Sequence, residues 1–171
     1  NDLILPIFII DGKNKKIPVK TMPGIYRYSL DKLNSVVERA IDLGIPMMAL
    51  FPYTKNNLRN SLGSESLNPN NLVCRACKQI KKKFKNNIGI MCDVALDPYT
   101  SHGHDGLLVR GDVENDETVK LLIEQSLIQA SAGCDVLAPS DMMDGRVGKI
   151  RNALDKNNFK NVQILSYAAK Y

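Results

Sequence analysis

The chain has 171 residues, 44% hydrophobic, 24% charged and 6% aromatic with no Trp, which suits one globular domain and excludes a disordered chain. No apolar run approaches the roughly 20 residues of a bilayer span and no basic leader opens the sequence, so no membrane partner and a cytoplasmic location are expected. The net charge of +5 is uneven, with 15 Lys+Arg against 6 Asp+Glu in residues 1–88 and 8 against 12 in residues 89–171, but the basic half lacks the interleaved aromatics of a nucleic-acid platform, so no nucleic-acid partner is expected.

In chain order, apolar runs bounded by turn residues alternate with helical patterns. Leu3–Ile10 reads as a strand. Leu30, Leu33, Val36, Val37, Ala40 and Ile41 then mark a helix between Ser29, a candidate N-cap, and Gly44, a stop. Met47–Phe51 is the second strand. Leu72, Val73, Ala76, Cys77, Ile80 and Phe84 give one face of a helix over about 70–85, with Lys81, Lys82, Lys83 and Lys85 on its wet side. Ile88–Leu96 is the third strand. A helix over about 116–132 follows, with Asn115 as cap, Asp116 and Glu117 in its first turn and Gly133 at its end. Val136–Ala138, a helix over about 145–156 capped by Asp144, and Val162–Tyr167 complete the pattern.

Near-continuous apolar strands separated by helices predict an α/β fold with a parallel sheet and right-handed crossovers. Two architectures fit: a complete doubly wound sheet, or five of the eight strands of a (β/α)8 barrel. The last strand runs into Ser166–Tyr171, where a βα loop would begin, and this favours the partial barrel. Such a piece would leave strands one and five as open edges. Cys74 and Cys77 form a lone C-x-x-C with no second pair for zinc, so Cys77 reads as a small buried hydrophobe and the thiols fit a reducing compartment.

In either architecture ligands bind beyond the carboxyl ends of the strands. Strand three ends in the segment from Asp93 to Gly106, which holds both histidines and three carboxylates, Asp93, Asp97 and Asp105. Hard oxygen donors suit Mg²⁺ better than zinc; the plainer alternative is a loop in which Asp97 caps a turn and the histidines meet solvent. After strand four, Ser140 and Asp141 sit where a barrel presents its active site, while Asp144 caps a helix and Arg146 pairs locally. Lys170, at the end of strand five, is either a surface lysine or, with its pKa lowered, a Schiff-base nucleophile. No G-x-G-x-x-G, G-x-x-x-x-G-K-[ST] or G-x-S-x-G occurs, which removes support for nicotinamide, ATP and serine-hydrolase chemistry.

Several stretches together resemble a known family. They are Leu5-Pro6-Ile7-Phe8, Met22-Pro23-Gly24-Ile25-Tyr26-Arg27, the whole run from Asp93 to Gly106, Asn115-Asp116-Glu117-Thr118-Val119, the run from Ala138 to Val147, and Ser166-Tyr167-Ala168-Ala169-Lys170-Tyr171. The family is porphobilinogen synthase, also called 5-aminolevulinate dehydratase. The resemblance implies a TIM barrel of which residues 1–171 supply about the first five strands and four helices. An N-terminal arm and the later barrel units, with a second lysine and most carboxylate-binding groups, would lie outside the chain. It implies condensation of two 5-aminolevulinate molecules to porphobilinogen in haem biosynthesis, by a homo-oligomer. Lys170 would be a Schiff-base lysine, Asp93 and Ser140 would serve proton transfer and amine orientation, and Phe51 and Asp141 would contact substrate. Zinc-dependent members carry cysteines at the positions of Ala95, Asp97 and Asp105. Here the resemblance is to the aspartate-rich class, with Mg²⁺ or a monovalent cation held by Asp97 and Asp105 directly or through water, and no zinc–cysteine site. Thr21 and Cys134 are mild departures from the family pattern. Two alternatives stand beside this reading: a Schiff-base aldolase-like lyase without metal, and an inactive barrel fragment that only self-associates.

Overall fold

The computed structural model describes residues 2–168. Its main sheet has seven strands: β1 Ile4–Ile10, β2 Lys16–Pro18, β3 Tyr26–Tyr28, β4 Met47–Tyr53, β5 Gly89–Val94, β8 Val136–Pro139 and β9 Gln163–Ile164. A separate hairpin pairs β6 Leu107–Val109 with β7 Asp112–Glu114. The helices are α1 Leu30–Asp42, α2 Leu72–Phe84, α3 Asn115–Ser131 and α4 Arg146–Lys156.

Strand order decides between the two architectures. β1, β4, β5, β8 and β9 are parallel, and each lies beside its predecessor in the chain. A doubly wound sheet reverses its order at a switch point and puts helices on both faces. Among these five strands no reversal occurs, and all four helices feed one core on one side of the sheet. Leu33 and Val37 of α1, Ile80 of α2, Leu122 of α3 and Ile150 and Leu154 of α4 join Ile9, Leu50, Ile90, Cys92 and Leu137 of the strands. The opposite face holds a small cluster, Ala49, Met91, Val136 and Ala138, with half-buried Met47 and Phe51. The order and the one-sided helices are those of consecutive staves of a TIM barrel, helices outside and the small cluster inside.

The expected strands and helices are all present, with differences at their ends. β9 is only two residues long, yet the N–H groups of Leu165 and Tyr167 continue the parallel ladder onto Leu137 and Pro139. Ser29 occupies the N-cap position of α1, but its hydroxyl ties Lys15 to Asp31 instead of capping the helix. Glu114, not Asn115, occupies the N-cap position of α3. Gly145, not Asp144, precedes α4, with φ of 74°, a left-handed conformation that favours glycine. Asn115 and Asp144 are engaged with each other: the Asp144 N–H donates to Asn115 Oδ1 at 2.8 Å. The edge of β1 is not open as expected. β3 pairs with it at Phe8 and Ile9, and β2 pairs outside β3. These three-residue strands carry too short a pattern to announce themselves in sequence.

No helix among the described residues is long and apolar enough to cross a membrane.

Candidate active site

The carboxyl ends of the parallel strands surround a cavity of about 540 Å³. Phe8 of β1, Phe51 of β4, Asp93 of β5, Ser140 after β8 and Tyr167 after β9 all line it. Alternation places them there. Phe8 is in register with Phe51, and Asp93 with Ala138, on the face of the inner cluster. The residues one step away, Ile9, Leu50, Cys92 and Leu137, point into the helical core.

The end of β5 is held from behind. The β4–β5 ladder stops at Leu50–Cys92. Beyond it, Gln129 Nε2 donates to the Asp93 carbonyl at 2.9 Å and Gln125 Nε2 to the Ala95 carbonyl at 3.2 Å. Both glutamines are buried, one turn apart on the inner face of α3. Sequence reasoning missed them, although two glutamines spaced i, i+4 within a buried helical stripe were a readable signal of backbone satisfaction.

The loop after β5 is stitched tightly. Tyr99 and Thr100 N–H groups both return to the Leu96 carbonyl, and Asn60 exchanges backbone bonds with Tyr99 and Ser101. The histidines serve this loop: His102 Nδ1 accepts from the His104 N–H and His104 Nδ1 from the Gly106 N–H, each at 3.1 Å. Gly106 is required by packing, because a Cβ there would sit 2.7 Å from Val113 Cγ1. Asp97 lines the cavity beside Asp93. Asp105 is half-buried, and its charge adds to the burial that raises the Asp141 carboxyl.

Ser140 is fixed by its N–H, which donates to the Val94 carbonyl at 3.3 Å. Asp141 does not line the 540 Å³ cavity; with Ser140 and Tyr167 it lines an adjoining one of about 300 Å³. Its buried carboxylate accepts from the Met143 N–H at 2.8 Å and lies 2.9 Å from Arg146 Nε. Burial pushes the Asp141 carboxyl above its usual range, against the opposing effects of Met143 and Arg146. The expected local pairing of Arg146 is present, and Asp141 has a visible part in holding the loop. Tyr167 is pushed above the usual phenol value by burial first and by the Asp93 charge second, so the ends of β5 and β9 face a common space. Lys170 lies outside the described residues. The cavity also takes Arg27 of β3, Tyr53 and Arg59, none of which the sequence marked as a site residue.

All four cysteines are buried thiols of the helical core, and none lines the cavity. Among the described residues no three His, Cys, Asp or Glu are grouped to hold a metal. The donors at the mouth are carboxylates. They fit an oxygen-preferring cation that keeps most of its water, as Mg²⁺ does on one or two carboxylates.

The family model for delta-aminolevulinic acid dehydratase matches residues 1–171. The chain belongs to the delta-aminolevulinic acid dehydratase family. Relatives in this family include the dehydratase of Bradyrhizobium diazoefficiens, 58% identical over 171 residues, which are 100% of this chain and 48% of that protein. That of Chlamydia pneumoniae is 42% identical over 170 residues, 99% of this chain and 51% of that protein. The crystal structure of the dehydratase (porphobilinogen synthase) of Toxoplasma gondii, in complex with the reaction product porphobilinogen, superposes with a TM-score of 0.95 at 40% identity. It covers 98% of this chain and 48% of that one. The chain thus spans about half the length of the curated relatives it matches.

Proposed function

We propose that the chain is the first half of the catalytic barrel of a porphobilinogen synthase, a lyase that condenses two 5-aminolevulinate molecules with loss of water. The observation that carries this reading is the cavity at the carboxyl ends of five sequential parallel strands, with Asp93, Ser140 and Tyr167 on its wall. It occurs in a chain that superposes at a TM-score of 0.95 on a synthase holding porphobilinogen.

In this reading Lys170, three residues beyond Tyr167, attacks the ketone of one substrate through its neutral amine. A C–N bond forms, and the ketone oxygen leaves as water to give the Schiff base. The Asp93 carboxylate, its backbone pinned by Gln129, takes and returns protons at the second substrate. Ser140, fixed on Val94, orients that substrate's amine, and Phe51 packs on its carbon chain. Asp141 acts by holding the Ser140 loop against Arg146. Asp97 and Asp105 would hold a hydrated Mg²⁺ or a monovalent cation, which supplies positive charge beside the reacting oxygens. Remaining barrel units, homo-oligomer formation and a reducing, cytoplasmic location belong to the same proposal. The four thiols without a disulfide support the last.

The test is porphobilinogen formation by the full-length protein, read with Ehrlich's reagent. Lys170→Ala is expected to abolish it while leaving the circular dichroism unchanged, and borohydride with substrate is expected to add mass at Lys170 in the wild type. No pyrrole from the wild type, or more than a tenth of wild-type turnover in the variant, overturns the reading. A second reading is favoured by the half-buried inner face at Met47 and Phe51: residues 1–171 alone self-associate without activity. A monomeric, active 171-residue protein would refute it.

A further inference from the structure

The C-x-x-C motif sets Cys74 and Cys77 one helical turn apart, but the fold brings Cys77 against Cys92. Cys77 lies in the middle of α2 and Cys92 in β5, and their Sγ atoms are 3.4 Å apart. Both side chains are fully buried in the outer core. No step of the proposed reaction uses either thiol. Cys134 adjoins Cys92 as well, but its S–H donates to the Val136 carbonyl at 3.0 Å, which turns it toward the backbone of β8.

The Cys77–Cys92 contact joins two elements that are fixed elsewhere. Asn71 caps the N-terminus of α2, its Oδ1 accepting from the Cys74 N–H at 2.9 Å. Near the other end Lys81 meets Asp135 at 2.7 Å, and Asp135 also accepts from the Ile90 N–H at 2.7 Å. Cys92 is in register with Leu50 of β4 and Leu137 of β8, and the next residue of β5 is Asp93, on the cavity wall. A disulfide holds its sulfurs about 2.05 Å apart, so bonding this pair requires an approach of roughly 1.4 Å. With α2 clamped at both ends, part of that movement falls on β5, whose β4 ladder ends at Cys92.

We propose that Cys77 and Cys92 form a redox switch: a small neutral peroxide joins them in a disulfide that shifts the end of β5 and slows the reaction at Asp93. The effect on turnover rests on the porphobilinogen synthase reading, whereas the disulfide does not. One sulfur attacks hydrogen peroxide, the O–O bond breaks, and a sulfenic acid and one water form. The second sulfur attacks the sulfenic sulfur, the S–S bond forms, the S–OH bond breaks, and a second water leaves. Two thiols and one peroxide thus give one disulfide and two waters. Burial sets the selectivity. Hydrogen bonds with Cys134 and Cys77, then burial, push the Cys92 thiol up, so it stays protonated and unreactive toward bulky disulfides. A small uncharged oxidant reaches the pair when α2 opens locally.

The test treats the full-length protein with hydrogen peroxide and removes the excess with catalase. Peptide mapping without reductant is expected to find Cys77 linked to Cys92. Amide exchange over residues 93–97 is expected to quicken at least threefold. Porphobilinogen formation is expected to fall at least tenfold, as a displaced reacting group requires, and dithiothreitol to restore it to within twofold of the untreated value. C77A, or C77V if the alanine variant does not fold, is expected to keep untreated turnover within threefold of wild type and to lose less than twofold to peroxide. No link, a link from Cys92 to Cys134 instead, a link that leaves exchange and turnover unchanged, or a Cys77 variant as sensitive as wild type overturns the proposal. A wild type that makes no porphobilinogen yet shows both the link and the faster exchange would instead sink the functional reading and leave the switch standing.

Discussion

Gln129→Leu separates what holds the site from what holds the fold. Gln129 Nε2 donates to the Asp93 carbonyl at 2.9 Å, while its own Oε1 is buried without a hydrogen-bond partner among the described residues. Leucine has similar volume, so little cavity opens. Removing the donor leaves a carbonyl unsatisfied, which costs about 1–3 kcal/mol, but removing the orphaned oxygen returns a penalty of the same size. The two nearly cancel, and global stability is expected to stay within about 1 kcal/mol of wild type. The position of Asp93 is not protected by that cancellation. Past Cys92 the strand has no β4 ladder, and the glutamine tethers the residue that faces the cavity. Displacements of an ångström at a reacting group can cost about 100-fold, so a fall of about tenfold in turnover is expected from partial loosening. Urea unfolding and porphobilinogen formation, measured on the same full-length preparation, check this. A variant with unchanged stability and turnover within twofold of wild type would refute the tethering argument.

Asp141→Ala removes one partner of a buried ion pair and strands Arg146, and is expected to cost about 3 kcal/mol in urea unfolding; Asp141→Asn, which keeps the bond from Met143, is expected to cost less. Gly106→Ala forces a Cβ to 2.7 Å from Val113 Cγ1 and 3.1 Å from Thr118 Oγ1, so a loss of about 1–3 kcal/mol is expected, visible as a lower Tm. Hydrogen bonds from Lys55 and Arg75 lower the Asp11 pKa from 3.8 to about 2. A carboxyl depressed on folding stabilises above its unfolded value and loses that contribution as pH falls from 3.8 toward 2. Asp11→Asn is therefore expected to flatten the acid limb of a stability–pH curve in that window, and an unchanged slope would count against it.

The repeating elements were legible because their residues report burial by period. Cys77 and Ile80 fell on the buried stripe of α2 as predicted, and the strands appeared as apolar runs because a helix layer covers one face and a barrel interior the other. What stayed hidden was what neither period nor motif encodes. β2 and β3 are three residues each, below the length at which alternation can be told from chance. Asn115 and Asp144 looked like caps because Asn and Asp favour that position locally; their contact across 29 residues is tertiary. Neither Arg27, the last residue of the family-like stretch from Met22, nor Arg59 sits in a pattern that marks it as a site residue. Only folding shows that they share a cavity with Asp93, 66 and 34 residues away in the chain.

β5 shows why chemistry and packing cannot be moved separately here. Cys92 and Val94 are fully buried among the helices, and Asp93 between them faces the cavity. Alternation makes these one decision: a slip of one residue would drive a carboxylate into the apolar core and put a thiol at the mouth. The register is therefore enforced by the whole outer core, far more strongly than any contact of the Asp93 side chain could enforce it. The same core anchors α3, which returns Gln125 and Gln129 to the strand end. Rigidity at the site is thus borrowed from residues that never meet a ligand. Variants that open a cavity in the outer core, such as Ile90→Ala or Leu122→Ala, should accordingly lower turnover along with stability, whereas Gln129→Leu lowers turnover alone.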